Sequence, residues 1–206
     1  EAVGWRGELG RGRRAVLDTL LSDLSTDAEV LLPCFPEGWD MAAASVAGAC
    51  DALAGTLVPL MSRDGCGNGE ILELLGWVEG FQQACDETFE AGVAAPERAT
   101  LSVALGPFRR VYSQRSRAAS EETASNLLRR GITVNMLQEP LRSASGQWKT
   151  LAPQDLFQML TSELELVSRP EQCECIDWDL VALVAAGCAG TLEKYAVRLK
   201  SIVEDG

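Results

Sequence analysis

Apolar residues recur at intervals of three and four along most of this chain, the repeat that lays one stripe along a helix. In "RRAVLDTLLSDL", from Arg13 to Leu24, the residues Val16, Leu17, Leu20, Leu21 and Leu24 form such a stripe, which needs a neighbour to cover it. A Pro-Cys-Phe-Pro joint follows. Beyond it, the Ala-, Val- and Leu-rich stretch from Asp40 to Leu60 predicts a second helix whose small residues permit close approach. "SRDGCGNGE", Ser62 to Glu70, breaks the pattern with residues that tolerate turn backbones and reads as an exposed loop. Helical periodicity resumes from Ile71 to Ala91, with Ile71, Leu74, Leu75, Val78, Phe81 and Cys85 on one side.

The segment "EAGVAAPERAT" supplies a link, and a long helical stretch runs from Arg98 to Glu139. Gly106-Pro107 is expected to kink or divide it, because proline removes an internal hydrogen bond. Leu127, Leu128, Ile132, Val134, Met136 and Leu137 continue its apolar face, with Gly131 a weak point. Ala152-Pro153 opens another helix bearing Leu156, Phe157, Met159, Leu160, Leu164 and Val167, which Arg169-Pro170 ends. A last helix, about Asp177 to Glu204, carries Leu180, Val184, Leu192, Tyr195, Leu199 and Ile202. No alternating segment of strand length competes with these assignments. The expected fold is therefore all-α, an elongated antiparallel helical bundle of about six or seven helices joined by short links. Residues 1–140 would hold one bundle with the Pro-Cys-Phe-Pro joint, and residues 141–206 a C-terminal hairpin continuing it.

At 206 residues and 47% apolar composition the chain can build a sizeable core. Its net charge of −12 argues against a nucleic-acid surface, since affinity for phosphate backbones rests on clustered Lys and Arg. Two local basic groups stand out, Arg6, Arg11, Arg13 and Arg14 near the start, and Arg109, Arg110, Arg115 and Arg117 further on. Each reads as a solvated helix face, with contact to an acidic partner or an anionic membrane as the competing reading. Apolar runs are interrupted before the ~20 residues that cross a bilayer, and no signal peptide opens the chain, so a soluble protein is expected. Starting on Glu1 suggests a portion of something longer.

Histidine is absent, which removes the commonest general base and the commonest zinc ligand. The cysteines at 34, 50, 66, 85, 173, 175 and 188 lack CxxC pairing and fit a reducing, intracellular compartment. Cys173-Glu174-Cys175 is too tight for a zinc half-site. Glu121-Glu122, Asp86-Glu87, Glu163 with Glu165 and Asp177 with Asp179 could act as acid-base pairs if burial separated their pKa values. Their positions between apolar residues favour solvated faces instead. The glycine-rich Gly65 to Gly69 has no preceding strand and no following lysine, so it is a turn and not a phosphate loop. Catalysis, cofactors and metals are not expected. Trp39, Trp77, Trp148 and Trp178 read as core residues, with an exposed partner hot spot as the competing reading, and Pro33 and Pro36 as the stops that set the hairpin, with Phe35 and Trp39 plugging its corner. A different class, a small-ligand or lipid-binding helical domain, would use Met136, Met159, Trp148 and Phe157 to line a cavity.

"PCFPEGWDM", a helix, a loop and then "GEILELLGWVEGF" resemble, in order and separation, the Sec-six family, component three of the exocyst. "VNMLQEP" and "LAPQDLFQMLTSELELV", Leu151 to Val167, are similar to later segments of the same family. Glu37 stands where the family's joint has its second proline, and Ala42 to Ala44 replace aromatic residues usual in the next helix. A divergent homologue or an excised domain would carry such differences. The resemblance implies a helical rod of the multisubunit tethering-complex type, non-catalytic and without cofactor, acting in vesicle tethering before fusion. It implies other exocyst subunits and SNARE-type fusion proteins as partners, and a cytoplasmic location peripheral to the plasma membrane. The joint residues Pro33, Phe35, Pro36, Trp39 and Trp77 are then structural, and Arg109, Arg110, Arg115 and Arg117 a candidate partner surface.

Overall fold

The computed structural model describes residues 15–16, 18–36, 39–61, 66–89, 95–137, 141–142, 148–149, 152–168 and 176–205. Side chains at 60, 95–98, 131–137, 141–142, 148–149, 152, 203 and 205 are outside that description. The first helix, α1, covers 15–26 except residue 17, and buries Leu24. It widens into a π turn, Asp27–Leu31, in which the Leu32 N–H reaches back to the Asp27 carbonyl, and tightens into a 3-10 turn, Leu32–Cys34. Pro33 therefore does not stop the helix: Leu32 keeps helical angles (φ −56°, ψ −41°), because the turn re-routes the bonds around the N–H that Pro33 lacks. The stop is Phe35, extended at φ −99° and ψ 150°, as the ring of Pro36 demands of the residue before it.

Helix α2, Met41–Met61, turns Val46, Cys50, Leu53, Leu57 and Met61 inward at helical spacing. Helix α3, Asn68–Thr88, does the same with Ile71, Leu74, Leu75, Val78, Phe81 and Cys85. Asn68, Gly69 and Glu70 form its first turn and are not loop. The cause is Glu70, whose carboxylate accepts the Gly67 N–H at 2.9 Å and satisfies a donor that the helix start would otherwise strand. α3 ends when Phe89 turns extended (φ −116°, ψ 158°).

Helix α4, Ala95–Leu137, passes through Pro107 as one helix, so of the expected kink or division the division does not occur. Gly106 has no Cβ to collide with the proline ring. The carbonyl that Pro107 leaves without a donor belongs to Val103, a residue on the helix's outer face. A two-residue antiparallel ladder follows, β1 (Leu141–Arg142) with β2 (Trp148–Lys149), pairing Leu141 with Lys149 and Arg142 with Trp148. Helices α5, Ala152–Ser168, and α6, Trp178–Asp205, complete an all-α architecture in which this ladder is a minor addition.

Two compact units divide the chain: residues 1–108 with 170–176, and residues 109–169 with 177–206. The boundary falls inside α4, directly after Phe108, whereas the division drawn from sequence lies beyond its end. The first unit's core gathers Leu24, Val46, Leu53, Ile71, Leu74, Val78, Phe81 and Leu101. The second unit packs α5 on α6 and the rest of α4, burying Tyr112, Leu156, Leu160, Leu180, Val184 and Thr191. Within α4, the inward positions of this second unit include Ser116, Ser120 and Ala124, small residues suited to close helix approach. Against the expectation that apolar runs stop short of bilayer length, Met41–Pro59 and Trp178–Ile202 are long and apolar enough to cross a membrane by length and composition, and each contributes a stripe to a helical core.

Several aromatic residues lie outside these cores. Trp39 is 63% exposed and Trp178 69%, because each sits beside a helix start on its outer side; Trp77 is half-buried. Phe157 is also exposed, one position off the inward stripe of Leu156 and Leu160. The Trp148 side chain lies outside the described residues.

Candidate functional site

The joint between α1 and α2 is built by its turns. The Cys34 thiol bonds the Val30 carbonyl at 3.3 Å, the Phe35 N–H donates to the Leu32 carbonyl at 3.1 Å, and the Trp39 N–H to the Pro36 carbonyl at 3.2 Å. These bonds bring the rings of Phe35 and Trp39 into an offset stack, centroids 5.9 Å apart and planes 26° from parallel. Phe35 is 37% exposed, and Pro33 and Pro36 are exposed as well. The pair is therefore an outward feature held by the joint, and not the plug of its corner. Local proline chemistry brings the rings together, and both stay exposed.

The arginine group divides. Arg109 is 4% exposed, and its Nε donates to Asp177 Oδ2 at 2.6 Å; Asp179 stands 4.0 Å from its Nη1. It is withdrawn from the candidate partner surface because the stripe of Leu105, Phe108 and Tyr112 carries it inward with them. Asp177, in turn, is the cap of α6: its Oδ1 accepts the Leu180 N–H at 2.9 Å, and its carbonyl the Val181 N–H at 3.0 Å. One buried carboxylate thus serves a helix start and a buried guanidinium together, correcting the expectation that Asp177 and Asp179 share a solvated face. An Asp immediately ahead of an apolar-periodic run was the available signal. Arg110, Arg115 and Arg117 remain exposed, and Arg117 pairs with Glu121 at 2.8 Å.

Further along the second unit, α4 and α6 are joined by polar contacts. Ser113 Oγ donates to the Leu183 carbonyl at 3.3 Å, Lys194 Nζ to Glu121 Oε1 at 2.7 Å, and Arg198 Nη1 to Ser125 Oγ at 2.8 Å. The bonds from Lys194 and then Arg117 hold the Glu121 carboxyl below its ordinary value. Ser116 Oγ donates to Glu163 Oε2 at 2.7 Å, tying α4 to α5. Burial first, and the Glu163 charge second, push the Tyr112 hydroxyl up to about 12 and raise the Cys188 thiol. A raised thiol is a poor nucleophile. Between α4 and α6 lies a groove of about 680 Å³ lined by Glu121, Ser125, Leu128, Lys194, Tyr195 and Arg198 among others. Of the residues expected to line a ligand cavity, Phe157 faces solvent and Met159 is partly exposed, and the Met136 and Trp148 side chains are outside the described residues.

Among the described residues no group of three His, Cys, Asp or Glu could hold a metal ion. Cys173 and Cys175 lie outside them. The features assembled here hold helices together and present side chains outward, the makings of a binding scaffold. Neither a curated protein nor a solved structure matches the chain. A family model, described as exocyst complex component Sec6, matches residues 6–206, from ahead of α1 through α6. With a match of that extent on a helical chain, this protein belongs to the exocyst complex component Sec6 family.

Proposed function

We propose that the protein is a non-catalytic subunit of the exocyst, acting in vesicle tethering during exocytosis by binding other exocyst subunits and SNARE-type fusion proteins. The observation that carries this reading is the family match over residues 6–206, which takes in both compact units. The chemistry is in keeping with it: the sequence has no histidine, buried Asp177 caps α6 and holds Arg109, and buried Ser116 bonds Glu163 from one helix to the next. The exposed side chains of Arg110, Arg115 and Arg117, the last also paired with Glu121, serve as a basic contact for an acidic partner, while Arg109 is buried. The protein works in the cytoplasm, peripheral to the plasma membrane at sites of secretion.

The test is purification of the endogenous protein from its own cells, with quantitative mass spectrometry of what accompanies it. Several large tethering subunits in near-equal amounts are expected. Recovery of the protein alone, from mild lysates in which other tethering subunits co-purify with one another, would overturn the reading.

A further inference from the structure

The joint between α1 and α2 exposes more apolar surface than its length warrants. Val30 is 57% exposed, Leu31 48%, Phe35 37% and Trp39 63%, four large side chains within ten residues. The Cys34 thiol bonds the Val30 carbonyl at one end of this segment, and Phe35 stacks on Trp39 at the other. Rings already stacked on each other have less rotamer freedom to lose on binding, which favours a recognition site.

Charge indicates the occupant. From Ala15 to Met61 the sequence contains neither lysine nor arginine, while Asp18, Asp23, Glu29 and Asp40 are exposed and Asp27 is partly so. Exposed acidic and apolar side chains that share one stretch of chain without a cation repel an anionic bilayer and select a cationic partner. The rigid aromatic centre requires an apolar face on that partner, and the short span of the patch matches a helical segment of a few turns.

We infer that the α1–α2 joint is a docking site for a basic, amphipathic helical segment of a partner protein, with Phe35 and Trp39 as its anchors. The inference does not depend on the tethering role, since it rests on the exposed side chains and charges of this chain alone.

The test uses the full chain and a displayed library of short amphipathic helices whose apolar face is fixed and whose outer positions vary among Lys, Arg, Asp, Glu and Ser. Selection on the wild type is expected to enrich sequences of net positive charge. Binding of the enriched peptides should fall about 10- to 30-fold in Trp39→Ala, as truncation of an interface anchor does. It should weaken again in Asp23→Lys/Glu29→Lys. Both variants alter exposed residues, and unchanged circular dichroism and thermal melting confirm their fold. No enrichment, enrichment of acidic or neutral peptides, or binders indifferent to Trp39→Ala would each overturn the inference. So would tighter binding to phosphatidylserine vesicles than to the enriched peptides, which would make the joint a membrane contact.

Discussion

Asp177→Asn separates the two jobs of one buried carboxylate. Asparagine keeps an oxygen for the Leu180 N–H but removes the charge that faces Arg109 across 2.6 Å. Both side chains of that pair are 5% exposed, so the guanidinium left behind has little access to water. Breaking a buried pair from one side costs about 3–5 kcal/mol, and the exposed Asp179 4.0 Å away compensates in part, which places the substitution near the lower bound. Asp177→Ala also loses the cap, a further ~1 kcal/mol. Arg109→Met should cost less than either, because the Asp177 carboxylate it leaves behind still faces the N-terminus of α6. The double variant Arg109→Met/Asp177→Asn should recover much of the loss, since a neutral pair strands no charge. Urea unfolding followed by far-ultraviolet circular dichroism measures all four, with m-values compared because the two compact units need not unfold together. A loss below ~1 kcal/mol for Asp177→Asn, with additive behaviour in the double variant, would refute the buried-pair reasoning.

Other substitutions test neighbouring points. Phe81→Ala, at a fully buried site, should cost ~3–5 kcal/mol in the same assay, whereas Phe35→Ala on the outward stack should cost only about 1 kcal/mol. Equal losses would mean that the joint is core after all. A Cβ at Gly187 would meet the Arg117 Cβ at 3.6 Å, an ordinary contact, so Gly187→Ala should stabilise by about 0.5–1 kcal/mol through helix propensity. Destabilisation instead would show that α4 and α6 have no room for a methyl group. Tyr112 is held protonated up to about 12 in the folded chain, against 10.0 ordinarily. Its contribution is complete below pH 10 and is lost as pH rises through the folded value, because the unfolded chain gives up its proton first. Tyr112→Phe should therefore make the alkaline decline of stability shallower, measured as midpoint against pH. An unchanged slope would contradict the assignment.

Helix positions were legible in the sequence because a helix is a local structure. Apolar spacing located α2, α3, α5 and α6 to within a few residues, and the prolines and glycines announced the joint. Family membership was legible too, through the order and separation of motifs along the chain. Tertiary structure decided what depends on which faces meet. Phe35, Trp39, Trp178 and Phe157 are as apolar as any core residue, yet the packed chain leaves them outward. Arg109 and Asp177 carry charges that composition places in water, yet they are sequestered together because Arg109 falls on α4's inward stripe and Asp177 opens α6 against it. α4 runs through Pro107 because Gly106 and an outward-facing turn relieve the proline, a balance of local strain against helix continuity that spacing alone does not report. Periodicity identifies the side of a helix that needs cover. Which side is covered, and which charges are buried with it, is a property of the packed chain.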